Sequence, residues 1–186
     1  QWVPAEQAPS GKPSVAFLAS VPELGEATYR LTPGKPAGGT DLTARQAGDT
    51  ISLANRRIGI TLGGPRPAEQ GPIAGIRLPG GAAVGAGRLD VPQAPQSVEL
   101  DLLARGPVFA EAAVDYTFPD RRFWRLRFRV IAGEPVVLVD EEFELPEGSK
   151  YTLRLAEGWR ADQLFYRDHG NCCRTAAVRS VKTEPV

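Results

Sequence analysis

Between Gly106 and Leu145 apolar and polar residues alternate with a period of two, regularly enough to predict three antiparallel strands and their register. Trp124, Leu126, Phe128 and Val130 share one face of the middle strand, and Arg125, Arg127 and Arg129 the other. The stretch Ala132-Gly133-Glu134-Pro135 suits a hairpin turn with Gly133 and Glu134 at its tip. Counting outward, Arg127 then opposes Asp140, Arg125 opposes Glu142, Trp124 meets Phe143, Phe128 meets Val139 and Val130 meets Val137. Charge faces charge and apolar faces apolar, worth roughly 0.2–1 kcal/mol for each good cross-strand pair. Leu126 against Glu141 is the one mismatch.

The preceding turn assigns the same faces. With Pro119-Asp120-Arg121 as a three-residue loop, Asp115 falls opposite Arg125, Glu111 opposite Arg129, Tyr116 opposite Trp124 and Val114 opposite Leu126. A one-residue slip in either hairpin would turn arginines toward the core, so the register is strongly specified. One face is predicted buried and the other solvated or turned to a ligand.

Elsewhere the pattern predicts short strands separated by Pro/Gly-rich turns. They fall at Ser14–Ser20, Glu26–Leu31, Thr50–Ala54, Arg56–Leu62, Gly71–Leu78, Ser97–Ala104, Lys150–Leu155 and Val178–Val181. Val21-Pro22-Glu23-Leu24-Gly25 is a turn, Thr32–Gly48 a connector and Gly63–Gln70 a loop. The segment 156–168 is irregular, and nowhere does a 3.6-residue stripe persist over three turns. These signals predict an all-β chain, an antiparallel β-sandwich of supersandwich type with a meander at about 107–145. Residues 1–48 form a small leading β piece with its connector, and 49–186 the sandwich domain.

The bulk numbers narrow the field of function. The 20 glycines and 17 prolines suit a turn-rich β protein. Basic and acidic residues balance at 22 each, so no charge excess points to nucleic acid or an anionic membrane, and no apolar run is long enough to span one. No basic start followed by an apolar stretch is visible, and a chain that opens at Gln1 without any methionine reads as a piece of a longer one. Cys172 and Cys173 are adjacent, a spacing that strains a mutual bridge and is read as two unpaired thiols.

Catalytic chemistry finds little support. The Gly-rich run Pro79–Gly87 lacks both the Gly-Lys-Ser/Thr ending and the GxGxxG spacing of phosphate loops. His169, the single histidine, stands beside Asp168 without a nucleophile elbow, and one histidine with two neighbouring cysteines is not a zinc pattern. No metal or cofactor is expected. Glycoside hydrolysis needs two carboxyls at a set separation, but Glu111, Asp115, Asp140 and Glu142 all have arginines opposite them in the derived register and read as a charged sheet face. The best ligand cluster is aromatic and polar together. Trp159, Asp162, Tyr166 and Arg167 are candidate carbohydrate contacts, since aromatic faces stack on sugar rings while Asp and Arg bond to hydroxyls.

Three phrases carry a resemblance. They are Val21-Pro22-Glu23-Leu24-Gly25-Glu26-Ala27-Thr28-Tyr29-Arg30-Leu31, the Asn-introduced strand and Gly turn within Leu53–Gly64, and the Gly-Pro-Val opening of the meander at Gly106. In this order they resemble the C-terminal β-sandwich region of glycoside hydrolase family 38, the α-mannosidases, and related galactose-mutarotase-like supersandwiches. The resemblance covers residues 14–145 and implies an accessory sandwich of a carbohydrate-active enzyme, with glycan and the catalytic domain as partners. That family's catalytic residues and zinc ligands belong to an N-terminal α/β domain with no counterpart here, so none is carried over. After the Asn, where the family is aromatic and acidic, this chain has Arg56-Arg57-Ile58-Gly59-Ile60. Two other readings stand beside this one: a self-sufficient binding or assembly module that contacts another protein, and a polysaccharide-lyase-like sandwich with its own site.

Overall fold

The computed structural model describes residues 16–30, 39–64, 66–81, 83–154, 163–167 and 173–177; of residues 83, 84, 86, 163–167 and 173–177 the backbone alone is described. The fold is all-β and sandwich-like. One sheet contains β1 (Thr43–Ala47), β2 (Thr50–Ala54), β3 (Gly59–Gly63), β4 (Ile73–Arg77) and the short β5 (Ala83–Val84), in that spatial order. Facing it is a four-stranded antiparallel sheet of β7 (Ser97–Arg105), β8 (Phe109–Thr117), β9 (Phe123–Ile131) and β10 (Val137–Glu144), in the order β10-β9-β8-β7. Two two-stranded antiparallel pairs complete it, β6 (Ala86–Asp90) with β11 (Lys150–Arg154), which are far apart in the chain, and β12 (Gln163–Arg167) with β13 (Cys173–Ala177).

The meander has the register its residues predict. Arg127 pairs with Asp140, Arg125 with Glu142, Trp124 with Phe143, Phe128 with Val139 and Val130 with Val137. Across the other hairpin Asp115 pairs with Arg125, Glu111 with Arg129, Tyr116 with Trp124 and Val114 with Leu126. Trp124, Leu126, Phe128 and Val130 are buried against Ile51, Leu53, Ile60 and Leu62 of the facing sheet, with Val114, Tyr116 and Phe118 beside them. Removing apolar area from water at roughly 25 cal/mol per Å² makes this two-sheet layer the main source of stability. The mismatch of Glu141 with Leu126 also has a cause: Glu141 Oε1 accepts a 2.6 Å hydrogen bond from Trp124 Nε1, so one inward carboxylate satisfies the indole.

Five expectations are corrected. Ala16–Ser20 and Glu26–Arg30 are not strands; the chain turns at Pro22–Gly25, and the two arms touch through Phe17 and Tyr29, whose hydroxyl bonds to the Ser20 backbone. Alternation without a neighbouring edge gives no ladder. The expected connector ends instead in β1, an edge strand too poor in apolar residues to show in the pattern. Arg56 and Arg57 lie in the β2–β3 turn, and the loop before β4 holds one helical turn, α1 (Pro67–Gln70), with proline at its start. Finally, residues 163–167, expected to be irregular, are a strand paired with 173–177, whereas 178–181 lie outside the described residues.

A polar clasp closes one end of the sandwich. Asn55 is 2% exposed. Its Nδ2 donates to the carbonyls of Ile131 and Glu134, each at 2.7 Å, and its Oδ1 accepts from the amides of Arg57 and Ile58, each at 2.8 Å. The β2–β3 turn is thereby tied to the β9–β10 turn across the two sheets. Asp41 strengthens the same end by accepting from the amides of Gly133 at 3.1 Å and Arg56 at 3.3 Å.

Candidate functional site

Beside α1 the structure opens a cleft of about 500 Å³ lined by Glu69, Gln70, Gly87, Arg88, Leu89, Asp90 and Arg154. Its walls come from three elements: the end of α1, β6, and the last residue of β11. Alternation along β6 buries Gly87 and Leu89 and leaves Arg88 and Asp90 exposed, with Asp90 Oδ1 holding the guanidinium at 2.9 Å from Nε and 2.8 Å from Nη2. Glu69 is engaged by Arg66 at 3.2 Å on the surface. Arg154 has no carboxylate partner among the described residues.

Behind the cleft lies an aromatic cluster that makes its floor rigid. Tyr116, Trp124 and Tyr151 meet with ring centroids 5.3 and 5.2 Å apart, and Phe118 stacks on Tyr116. Tyr116 Oη donates to the Pro67 carbonyl at 3.1 Å and so fastens α1 to β8. Tyr151 threads between two glycines: a Cβ at Gly87 would stand 2.4 Å from its hydroxyl, and one at Gly71 2.7 Å from its ring. No larger residue fits either place.

Burial pushes the Tyr151 hydroxyl up to about 12, with a partial opposing pull from the Ile73 backbone and a further push from Glu141. Burial, reinforced by Tyr151, raises Tyr116 further still. The unfolded chain releases these protons near the ordinary value of about 10. Stability is therefore intact below that pH and falls as pH rises through it toward the folded-state values. Among the described residues the buried Tyr151 hydroxyl has no hydrogen-bond partner of good geometry. We expect Tyr151→Phe to be at least as stable as the natural chain at neutral pH, and to lose stability less steeply above pH about 10 in thermal melts across an alkaline series. A clear loss at neutral pH would show that the hydroxyl is satisfied after all.

Of the candidate carbohydrate contacts, Trp159 and Asp162 lie outside the described residues. Tyr166 and Arg167 are on β12, opposite Arg174 and Cys173 of β13. His169 and Cys172 likewise lie outside the described residues. Among the described residues no group of three or more His, Cys, Asp or Glu is placed to hold a metal ion, and no helix is long and apolar enough to cross a membrane.

The charged sheet face is partly as expected. Glu111 accepts from Arg129 Nε at 2.5 Å and pairs with its Nη2, and Glu142 lies 3.6 Å from Arg125. Arg125 also covers the Phe123 ring and Arg129 the Phe109 ring, at 4.5 and 4.9 Å. Asp115 and Asp140 stand opposite arginines in register, yet neither forms an ion pair within 4.0 Å among the described residues. The cleft itself escaped the sequence reading. Its only local trace is the Arg-Leu-Asp alternation at residues 88–90, which any half-buried strand shows.

No family model matches the chain, and no curated protein matches it significantly.

Proposed function

We propose that the chain is a non-catalytic accessory β-sandwich of a larger carbohydrate-active enzyme of the glycoside hydrolase kind, which supports the catalytic domain and contacts glycan. The observation that carries the reading is the cleft beside α1. It brings a guanidinium, a carboxylate and a carboxamide from Arg154, Glu69 and Gln70 to one open, rigid depression, with the Arg88–Asp90 pair at its rim. Planar donors and acceptors of this kind bind sugar hydroxyls in pairs, and an arginine with no carboxylate partner among the described residues suits a uronate or another acidic sugar. The family resemblance of the sequence supports the same assignment, and it supplies the supersandwich relationship.

A lyase-like mechanism fits the cleft less well. Such chemistry commonly sets a tyrosine or histidine base beside an arginine, and among the described residues the cleft lining contains neither. The nearby Tyr151 hydroxyl sits behind Gly87 and holds its proton to about 12.

The test is a panel of neutral and acidic glycans presented to the whole chain. Binding is expected for acidic members, weakened about tenfold or more by Arg154→Ala, since a hydrogen bond to a charged group contributes about 1.5–3 kcal/mol. A parallel Trp159→Ala variant separates the cleft from the aromatic segment that follows it. If the folded chain binds no glycan, the carbohydrate reading is wrong.

A further inference from the structure

We infer that the free edge of β10 is a docking site for an extended strand of a partner protein, one that alternates apolar residues with arginine or lysine. The inference is independent of the glycan cleft, which lies on other elements.

Among the described residues β10 pairs only with β9, and no described strand is hydrogen-bonded to its other edge. The opposite edge of the same sheet is treated differently: β7 is approached by β1, where Gln46 Nε2 donates to the Leu100 carbonyl at 3.5 Å. On the core-facing side of β10, Val139 is 46% and Phe143 59% exposed, although their partners Phe128 and Trp124 on β9 are buried. The hydrophobic layer therefore runs one strand beyond the sheet that covers it, interrupted at Glu141, whose carboxylate accepts from Trp124 on that same face. Natural edge strands are commonly short, bulged, interrupted or charged to prevent unselective pairing, and the charge on this one is acidic. This one is eight residues long with an unbroken ladder to β9.

The chemistry of the occupant follows from the outer face of the same strand, which carries Asp140, Glu142 and Glu144. Glu142 has Arg125 at 3.6 Å, while Asp140 and Glu144 have no ion-pair partner among the described residues. Directly opposed residues in neighbouring strands share a face. An incoming strand must therefore place apolar side chains beside Val137, Val139 and Phe143, and cations beside Asp140, Glu142 and Glu144. A second copy pairing through its own β10 would set carboxylate against carboxylate, so self-association is disfavoured. The complementary pattern already exists in the fold: β9 alternates Leu126, Phe128 and Val130 with Arg125, Arg127 and Arg129, and lies antiparallel to β10. A partner strand repeats on the free side what β9 does on the other, with backbone hydrogen bonds supplying affinity and side chains specificity.

The experiment uses a synthetic peptide that copies residues 125–130, added to the whole chain. Titration calorimetry measures binding, and amide hydrogen exchange locates it. We expect slowed exchange at alternate amides of Val137–Glu144, and affinity that falls with added salt. Glu144→Lys with Asp140→Lys should weaken binding about tenfold, by replacing attractions with repulsions at two cross-strand pairs. Glu144→Lys alone, at an exposed position opposite Phe123, should show part of the loss without disturbing the ladder. A control peptide with glutamate for arginine should not bind. No protection along β10, binding indifferent to the charge reversals, or a dimer of the chain alone protected along β10 would each overturn the proposal.

Discussion

Asn55→Ala is expected to lower stability by about 3 kcal/mol, because it leaves four polar groups without the partner they have in the folded chain. The side chain has no spare capacity: both amide hydrogens and the carbonyl oxygen are engaged, at 2.7–2.8 Å, by the Ile131 and Glu134 carbonyls and the Arg57 and Ile58 amides. Alanine removes all of them from a buried side chain, although Arg57 and Glu134 are exposed and the Ile131 carbonyl keeps the Glu134 amide. For a domain of this size the midpoint of thermal unfolding should fall by about 10 °C. Asn55→Asp is the sharper variant. It preserves shape and the acceptor for the two amides, but turns a carboxylate oxygen toward two carbonyls, so it should be no better than alanine at neutral pH. If both variants melt with the natural chain, the clasp is ornamental and the two turns are held by apolar packing alone.

Arg129→Leu should cost about 3–5 kcal/mol, since it strands the Glu111 carboxylate, which is 7% exposed, beneath the Phe109 and Arg129 side chains' former cover. The size comes from the charge left behind rather than from the pair itself. Glu111→Leu with Arg129→Leu should therefore recover most of the loss, because an apolar pair of similar volume often matches a buried ion pair. Chemical denaturation of the two single variants and the double variant measures the coupling directly. The contrasting pair, Arg125 with Glu142, is exposed on both sides, and removing it should change stability by less than about 1 kcal/mol.

The second prediction draws on a register that was legible in the residues. In the meander, side-chain period and strand period coincide, two turns bound the middle strand, and a slip reverses every face, so local information suffices. The same logic failed where no partner was specified. Ala16–Ser20 and Glu26–Arg30 were read as strands, but no described strand pairs with either of them. Thr43–Ala47 alternates poorly and is a strand nonetheless, because β2 offers it an edge. Asn55 marked a boundary between two strands, and the sequence could not reveal that its amide reaches residues 131 and 134.

What the chain's sequence determined alone is therefore the all-β character, the meander and its pairing, and which face of it is apolar. Tertiary structure decided which parts of that apolar face are covered, leaving Val139 and Phe143 exposed while burying Phe128 and Trp124. It also decided how α1, β6 and the end of β11 converge on one cleft, since Glu69, Arg88 and Arg154 are far apart in the chain and meet only in space. The division has a physical reason. Strand register is set by nearest neighbours across a turn, whereas coverage and convergence depend on how whole sheets pack, which no local pattern encodes.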